Sequence, residues 1–195
     1  MKTVLFIPGF KEDINSRDYK STIKAIEGSG YKVHFISIRW NRTTIEGWLK
    51  ELETEYSKHD PKDTILAGFS FGAMTAFVAA AKQNPAELWL FSLSPYFHED
   101  IHSKYMKKSW LNHIGHRRVS AFDKLNFKNL AKTIQCKTLI FAGQAELDKW
   151  PDMKSRTLTA EKLLRGSKLL TIDGVGHDVA DKLYINAIKQ AIGGS

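Results

Sequence analysis

Three kinds of residue in this 195-residue chain are spaced so that they could act together: one serine, one late histidine and a pair of acids. The serine is Ser70, inside Gly68-Phe69-Ser70-Phe71-Gly72, a G-x-S-x-G pentapeptide. The apolar run Thr64-Ile65-Leu66-Ala67 precedes it, and an Ala-rich stretch through Met74, Phe77, Val78 and Ala81 follows. Strand, turn and helix in that order are the context in which the pentapeptide marks a nucleophile elbow. A serine held in so tight a turn pushes its hydroxyl into the open. The positions two residues to either side must then be small, because strand and helix backbones crowd there. The helix starting at the serine also aims free N–H groups at the same point.

A serine hydroxyl is a weak nucleophile until a base takes its proton, and that base is usually a histidine oriented by a carboxylate. His177 is the candidate base. It follows the apolar run Leu169–Ile172 in the turn Asp173-Gly174-Val175-Gly176-His177. The other six histidines are placed less well: His34 begins a strand-like run, His59 ends a helical one, and four lie between residues 95 and 121. The acid is expected in the loop after Ala142-Gly143, which carries Glu146 and Asp148. Glu146, nearer the strand end, is favoured, with Asp148 as the alternative acid. An oxyanion hole needs two N–H donors aimed where carbonyl charge develops. The backbone N–H of Phe71 is one candidate. The N–H of Phe10, after Pro8-Gly9, is the other. Trp40, Tyr96, Phe97 and Trp150 are candidate walls of an acyl pocket.

Positioning these groups requires a particular order of elements. Apolar strand-like runs at Val4–Ile7, Val33–Ile38, Thr64–Ala67, Leu88–Leu93, Thr138–Ala142 and Leu169–Ile172 alternate with helical stretches. The helices are expected near Arg17–Gly28, Ile45–Lys58, Phe71–Gln83, Lys124–Lys132, Asp152–Leu164 and Asp178–Ile192, with Thr43 and Glu46 capping the second. This alternation predicts an α/β fold: a doubly wound, mostly parallel six-stranded sheet with helices on both faces. Substrates of such sheets bind beyond the carboxyl ends of the strands, and Ser70, His177 and the acid loop all belong to that edge. Residues 95–121, after the fourth strand, break the rhythm and form a candidate lid insertion. No linker or repeat divides the chain, so residues 1–192 read as a single domain and 193–195 as an appended tail.

Composition narrows the function classes. Hydrophobic residues make up 43% and charged residues 26%, as in ordinary globular domains. No apolar run is long enough to span a bilayer. The opening Val4–Ile7 run, ended by Pro8-Gly9, is too short for the apolar core of a signal peptide. A lone cysteine, Cys136, excludes an internal disulfide and a Cys-based zinc site, which fits a reducing cytoplasm. The net charge is +8, and residues 98–132 hold eight Lys or Arg against three acids. Such a segment reads as a solvated surface or as a positive rim for anionic substrates. No recognition helix, zinc knuckle or RNP-type strand points to nucleic acid, and nothing in the sequence sets an oligomeric state.

With these motifs in place, the chain resembles the α/β-hydrolase superfamily. The resemblance covers Pro8-Gly9-Phe10, the elbow at Ser70, the Gly143-to-Glu146 loop and Val175-Gly176-His177, in the serine–acid–histidine order that superfamily uses. In compactness it looks like small bacterial esterases. The resemblance implies a serine hydrolase acting on carboxylic esters, thioesters or lactones of a small-molecule acyl substrate, through an acyl-enzyme and with no metal or organic cofactor. Glu146 stands where the family more often has Asp, and Phe71 replaces the usual Leu or Met, narrowing the pocket entrance. Two other readings stay open. A scaffold of this kind can bind a small molecule without turnover. Separately, His98-Glu99-Asp100-Ile101-His102 matches the H-E-x-x-H pattern of zinc hydrolases, which works only on a continuous helix.

Overall fold

Alternation of side chains along the strands builds the two cores of the protein. The computed structural model describes residues 1–193; Gly194 and Ser195, two of the three residues read as a tail, lie outside the described residues. The chain runs β1 (Thr3–Ile7), α1 (Tyr19–Glu27), β2 (Lys32–Phe35), α2 (Ile45–Tyr56), β3 (Thr64–Phe69) and α3 (Phe71–Gln83). It continues through β4 (Glu87–Phe91), α4 (His98–Ile101), α5 (Lys108–Ile114), α6 (His116–Phe122) and α7 (Phe127–Ala131). The last elements are β5 (Lys137–Gly143), α8 (Gln144–Lys149), α9 (Pro151–Leu163), β6 (Lys168–Ile172) and α10 (Lys182–Ile192). The six strands form one all-parallel sheet in the order β2-β1-β3-β4-β5-β6. This is the α/β-hydrolase fold, with every strand's carboxyl end on one edge.

Successive strand residues point to opposite faces. Leu5, Ile7, Leu66, Leu88, Leu90 and Ile140 face α2, α3, α7 and α9. Val4, Phe6, Ile65, Ala67, Trp89, Phe91 and Phe141 face α1 and α10. The central strand β3 is buried along its whole length, and so is α3 from Phe71 to Ala80. An Ala-rich helix suits that place because small side chains let it lie close to the sheet. Burying one large apolar side chain contributes about 1.5–3 kcal/mol, and Trp48, Trp89 and Phe77 are each fully buried. Among the described residues no helix is long and apolar enough to cross a membrane.

Several boundaries differ from the sequence expectation for identifiable reasons. β4 stops at Phe91 rather than Leu93 because Ser92 takes a left-handed backbone (φ 51°) and turns the chain out of the ladder. α10 starts at Lys182, not Asp178. Asp181 caps it by accepting from Leu183 N–H, while the preceding turn sends Val179 into the core, where its carbonyl accepts from Thr22. α7 begins at Phe127 rather than Lys124, behind Asn126, whose side chain accepts from Asn129 N–H. The cap of α2 is Thr44, not Thr43: Glu46 bonds the Thr44 hydroxyl, while the Thr43 hydroxyl bonds the Arg39 carbonyl and accepts from Trp48 Nε1. Residues 95–121 form α4, α5 and most of α6, with the non-helical stretch 102–107 between the first two. Arg118 of α6 fastens this segment to the body by donating to the carbonyls of Trp40 (2.7 Å) and Thr43 (3.0 Å).

Candidate active site

Ser70 occupies the sharp turn between β3 and α3 with φ 57° and ψ −117°. A non-glycine residue held there costs of order 1–3 kcal/mol. The strain is held by the sheet and helix on either side: Ser70 N–H donates to Phe91 O (2.9 Å), and Met74 N–H donates to Ser70 O (3.1 Å). The flanking glycines are required by contact rather than by φ. A Cβ on Gly68 would collide with the backbone of Gly72 and Ala73, and one on Gly72 with the carbonyls of Ile7 and Pro8.

His177 reaches Ser70 from the turn after β6. Its Nε2 lies 3.0 Å from Ser70 Oγ, and its Nδ1 lies 2.6 Å from Glu146 Oε2. A carboxylate can only accept, so Nδ1 carries the proton and Nε2 offers its lone pair to the serine hydroxyl. The ring packs on Phe69 at 4.7 Å between centroids and meets the edge of Trp150 at 5.7 Å. Arg17 braces the same turn, donating to His177 O (3.3 Å) and to Asp178 Oδ1 (3.0 Å) while bound to Glu12.

Glu146 is 1% exposed and fully partnered. It lies in the first turn of α8, not in a loop, and reaches back to accept from Gly143 N–H (2.9 Å). The same oxygen accepts from Ser92 Oγ (2.7 Å), which leaves Oε2 for His177. Tyr184 OH stands behind, 3.1 Å from Ser92 Oγ, and donates to Phe141 O. Burial, followed by the Glu146 charge, holds the Tyr184 phenol well above its ordinary range. Gly143 lets β5 approach the histidine turn, since a Cβ there would strike the carbonyls of Val175 and Gly176. Asp148, the alternative acid, is exposed and accepts from Gln144 instead (2.8 Å).

Among the described residues the backbone N–H groups of Phe10 and Phe71 donate no hydrogen bond. The loop carrying Phe10 is fixed from behind. Tyr19 OH accepts from Gly9 N–H (2.9 Å) and donates to the Glu12 carboxylate. Trp40 Nε1 donates to Glu12 O (3.1 Å).

Ser70 and His177 open into a cavity of about 350 Å3 walled by Phe71, Tyr96, Trp110 and Trp150. Trp40 and Phe97, expected in that wall, do not line it. Trp40 packs against Phe10 and Trp48, and Phe97 is fully buried edge-on to Phe77 and Phe127. Both belong to the core, because strongly apolar rings near a site are as useful for packing as for binding. Asp152, on the cavity side of α9, is 3% exposed and neither of its carboxylate oxygens has a hydrogen-bond partner. Burial raises its carboxyl above the ordinary range. Burial, then the Asp152 charge, pushes the Tyr96 phenol up to about 12.

Sequence reasoning missed Ser94, Ser92 and Arg17. Ser94 Oγ is 3.1 Å from Ser70 Oγ, and Ser94 is 3% exposed. A polar pair, Ser92 and Ser94, at the end of an apolar strand was the available signal; Arg17, 160 positions from His177, offered none. The H-E-x-x-H pattern does not make a catalytic zinc centre. Glu99, needed beside the metal as a general base, instead accepts from the N–H groups of Phe127 and Lys128. α4 spans four residues, so His102 falls just past its end.

With the fold and geometry known, the chain can be set beside solved proteins. No protein-family model and no curated protein sequence matches it. Solved structures do. Est1E from Butyrivibrio proteoclasticus, with ferulic acid bound, has a TM-score of 0.79 at 15% identity, over 99% of this chain and 87% of that one. MenH from S. aureus has a TM-score of 0.71 at 18% identity, over 98% and 92%. Bromoperoxidase from Bacillus anthracis has a TM-score of 0.73 at 14% identity, over 98% and 90%. At these identities the similarity is one of fold.

Proposed function

We propose that this protein is a serine hydrolase that cleaves carboxylic esters, thioesters or lactones of a small-molecule acyl substrate through an acyl-enzyme. The observation that carries the reading is the unbroken relay Ser70 Oγ–His177 Nε2 (3.0 Å) and His177 Nδ1–Glu146 Oε2 (2.6 Å). Ser70 Oγ bonds to the acyl carbon while its proton passes to His177 Nε2. Glu146 stabilises the imidazolium. The N–H groups of Phe10 and Phe71 donate hydrogen bonds to the oxyanion. His177 then gives its proton to the departing alcohol or thiol as the acyl–oxygen or acyl–sulfur bond breaks. Water then gives a proton to the same nitrogen and bonds to the acyl carbon; as the acyl–Oγ bond breaks, His177 returns that proton to Ser70 Oγ and the acid leaves. Every group in this scheme belongs to the chain, so it needs no cofactor.

The aromatic walls suit a flat or apolar acyl group. Lys149 lies over the Trp150 ring (5.0 Å) and Lys107 over Trp110 (5.3 Å), so the mouth carries positive charge. An anionic acyl donor should therefore lose kcat/KM as salt rises, while a neutral ester should not. Equal salt response for both removes the rim from substrate selection. In this reading residues 95–121 act as the lid, since Tyr96, Trp110 and His113 line the cavity from that segment.

The direct test is mass spectrometry of the folded protein after fluorophosphonate treatment. One adduct on Ser70, absent from Ser70→Ala, is expected. No adduct under conditions that label a control hydrolase would falsify the reading. A binding scaffold would instead take up ligand yet hydrolyse a panel of esters, thioesters and lactones no faster than Ser70→Ala does.

A further inference from the structure

The histidine pair at 98 and 102 has no part in the hydrolase reading, yet its placement is specific. The two rings, 4.8 Å apart, turn toward one carboxylate: His98 Nδ1 is 2.9 Å and His102 Nε2 2.8 Å from Asp123 Oδ1. His98 Nδ1 also lies 3.1 Å from the Asp123 carbonyl oxygen. The three side-chain donor atoms fall within 4.8 Å of one another, and among the described residues no other trio of His, Cys, Asp or Glu does so. All three side chains are open to solvent.

We propose that His98, His102 and Asp123 form a binding site for a divalent metal of the zinc type, separate from the Ser70 cavity and with no part in the hydrolytic chemistry. Donor type sets the class of ion. Two imidazole nitrogens and one carboxylate oxygen suit Zn2+, Co2+, Ni2+ or Cu2+, whereas Mg2+ and Ca2+ require mostly oxygen. Distance permits it. Zinc holds such ligands at about 2.0–2.2 Å, so adjacent donors in a tetrahedron stand roughly 3.3–3.5 Å apart. Small rotations of exposed side chains open the two N···O separations and close the N···N one. Water fills the solvent-facing position.

The backbone that carries the donors is already fixed. His98 N–H donates to Leu125 O (3.0 Å). Glu99 caps the start of α7, and Asp100 takes a two-pronged ion pair from buried Arg156 (2.6 and 2.9 Å). Positions 98–100 are thus held by residues 125–128 on one side and by Arg156 on another, and metal binding orders little beyond the His98, His102 and Asp123 side chains. The site also has a consequence. His98 and His102 stand near the start of the 95–121 segment and Asp123 just beyond its end. A bound ion therefore ties together the two roots of the segment that lines one side of the cavity.

The test uses the full chain without any polyhistidine tag. Zn2+ and Co2+ titrations by calorimetry and visible absorption should give one ion per chain and a rise in Tm, with Mg2+ giving neither. His98→Ala, His102→Ala and Asp123→Asn should each weaken binding by roughly tenfold or more, while His113→Ala and His116→Ala should not. In the unmutated chain, Zn2+ should protect His98 and His102 from diethylpyrocarbonate, read by peptide mass spectrometry; this arm survives a variant that fails to fold. Absence of binding at millimolar Zn2+, equal binding by Mg2+, or binding and protection unchanged by the three substitutions overturns the proposal. Fluorophosphonate labelling of Ser70 in chelator-treated protein is read alongside. Labelling without metal leaves the hydrolase reading intact whatever the titration shows.

Discussion

The carboxyl edge of the sheet and the 95–121 segment meet at the same cavity but are built on opposite principles. At the sheet edge, Ser70, Glu146 and His177 are placed by backbone: a left-handed turn, a helix first turn and a turn pressed against Gly143. Each reacting atom has a partner at 2.6–3.0 Å. The segment hangs instead on side chains, chiefly Arg118 on two carbonyls and the Asp100–Arg156 pair, and its helices α5 and α6 run only seven residues each. In the proposed reaction the chemistry, which needs positions good to a fraction of an ångström, would sit on the backbone-held part, while substrate fit would tolerate looser support.

Breaking the rigid side should cost most. Ser70→Ala and His177→Ala are each expected to lower kcat for ester cleavage by on the order of 10^6, with Tm hardly changed, because triad members act as a unit. Glu146→Gln should fall short of that, on the order of 10^4, since the imidazole loses its anchor but the serine and oxyanion donors remain. Asp148→Asn, in the same assay, should stay near wild type; a large loss there would reassign the acid.

Loosening the segment should act on binding before chemistry. Arg118→Ala frees the Trp40 and Thr43 carbonyls, and charged hydrogen bonds of this kind contribute about 1.5–3 kcal/mol. The expected outcome is a lower urea midpoint and a KM raised more than kcat is lowered; a kcat loss matching that of Glu146→Gln would erase the distinction between the two regions.

The smallest effect concerns the boundary between them, where Glu146 and Asp152 are both buried but only Glu146 is partnered. Burial raises the Asp152 carboxyl, so the native state holds its proton more tightly than the unfolded chain does. Stability from this group is present below the ordinary carboxylate range and is lost as pH rises through the raised value. Asp152→Asn removes that loss. Tm should increase at alkaline pH and by less at acid pH, where the carboxyl holds its proton in both states. A gain that does not depend on pH would point to packing instead of charge.

Much of the rigid region was legible in the residues themselves. Glycines two positions from a serine, apolar runs of strand length, and a histidine in a glycine-bracketed turn are local signals, each with a steric cause. Distance from the strand end separates Glu146 from Asp148: three residues past Gly143 is the place from which a side chain can return to that glycine's N–H, and from there Glu146 lies 2.6 Å from His177 Nδ1 while Asp148 bonds Gln144. The pocket walls were not legible. Trp40 and Phe97 looked as eligible as Tyr96 and Trp150, because a large ring beside a site serves a core or a cavity equally well, and only the packing partners separate the two.

Sequence alone therefore determined the strand order's raw material, the elbow and the likeness to α/β-hydrolases, since these depend on contacts between residues a few positions apart. Tertiary structure alone decided what joins distant positions. It set the Arg17 brace on His177, the Ser94 hydroxyl beside Ser70, the capture of Glu99 by α7 and the convergence of His98 and His102 on Asp123. Hydrogen bonds and metal-ligand geometry are satisfied within tenths of an ångström, and no local pattern carries distance at that scale across a folded chain.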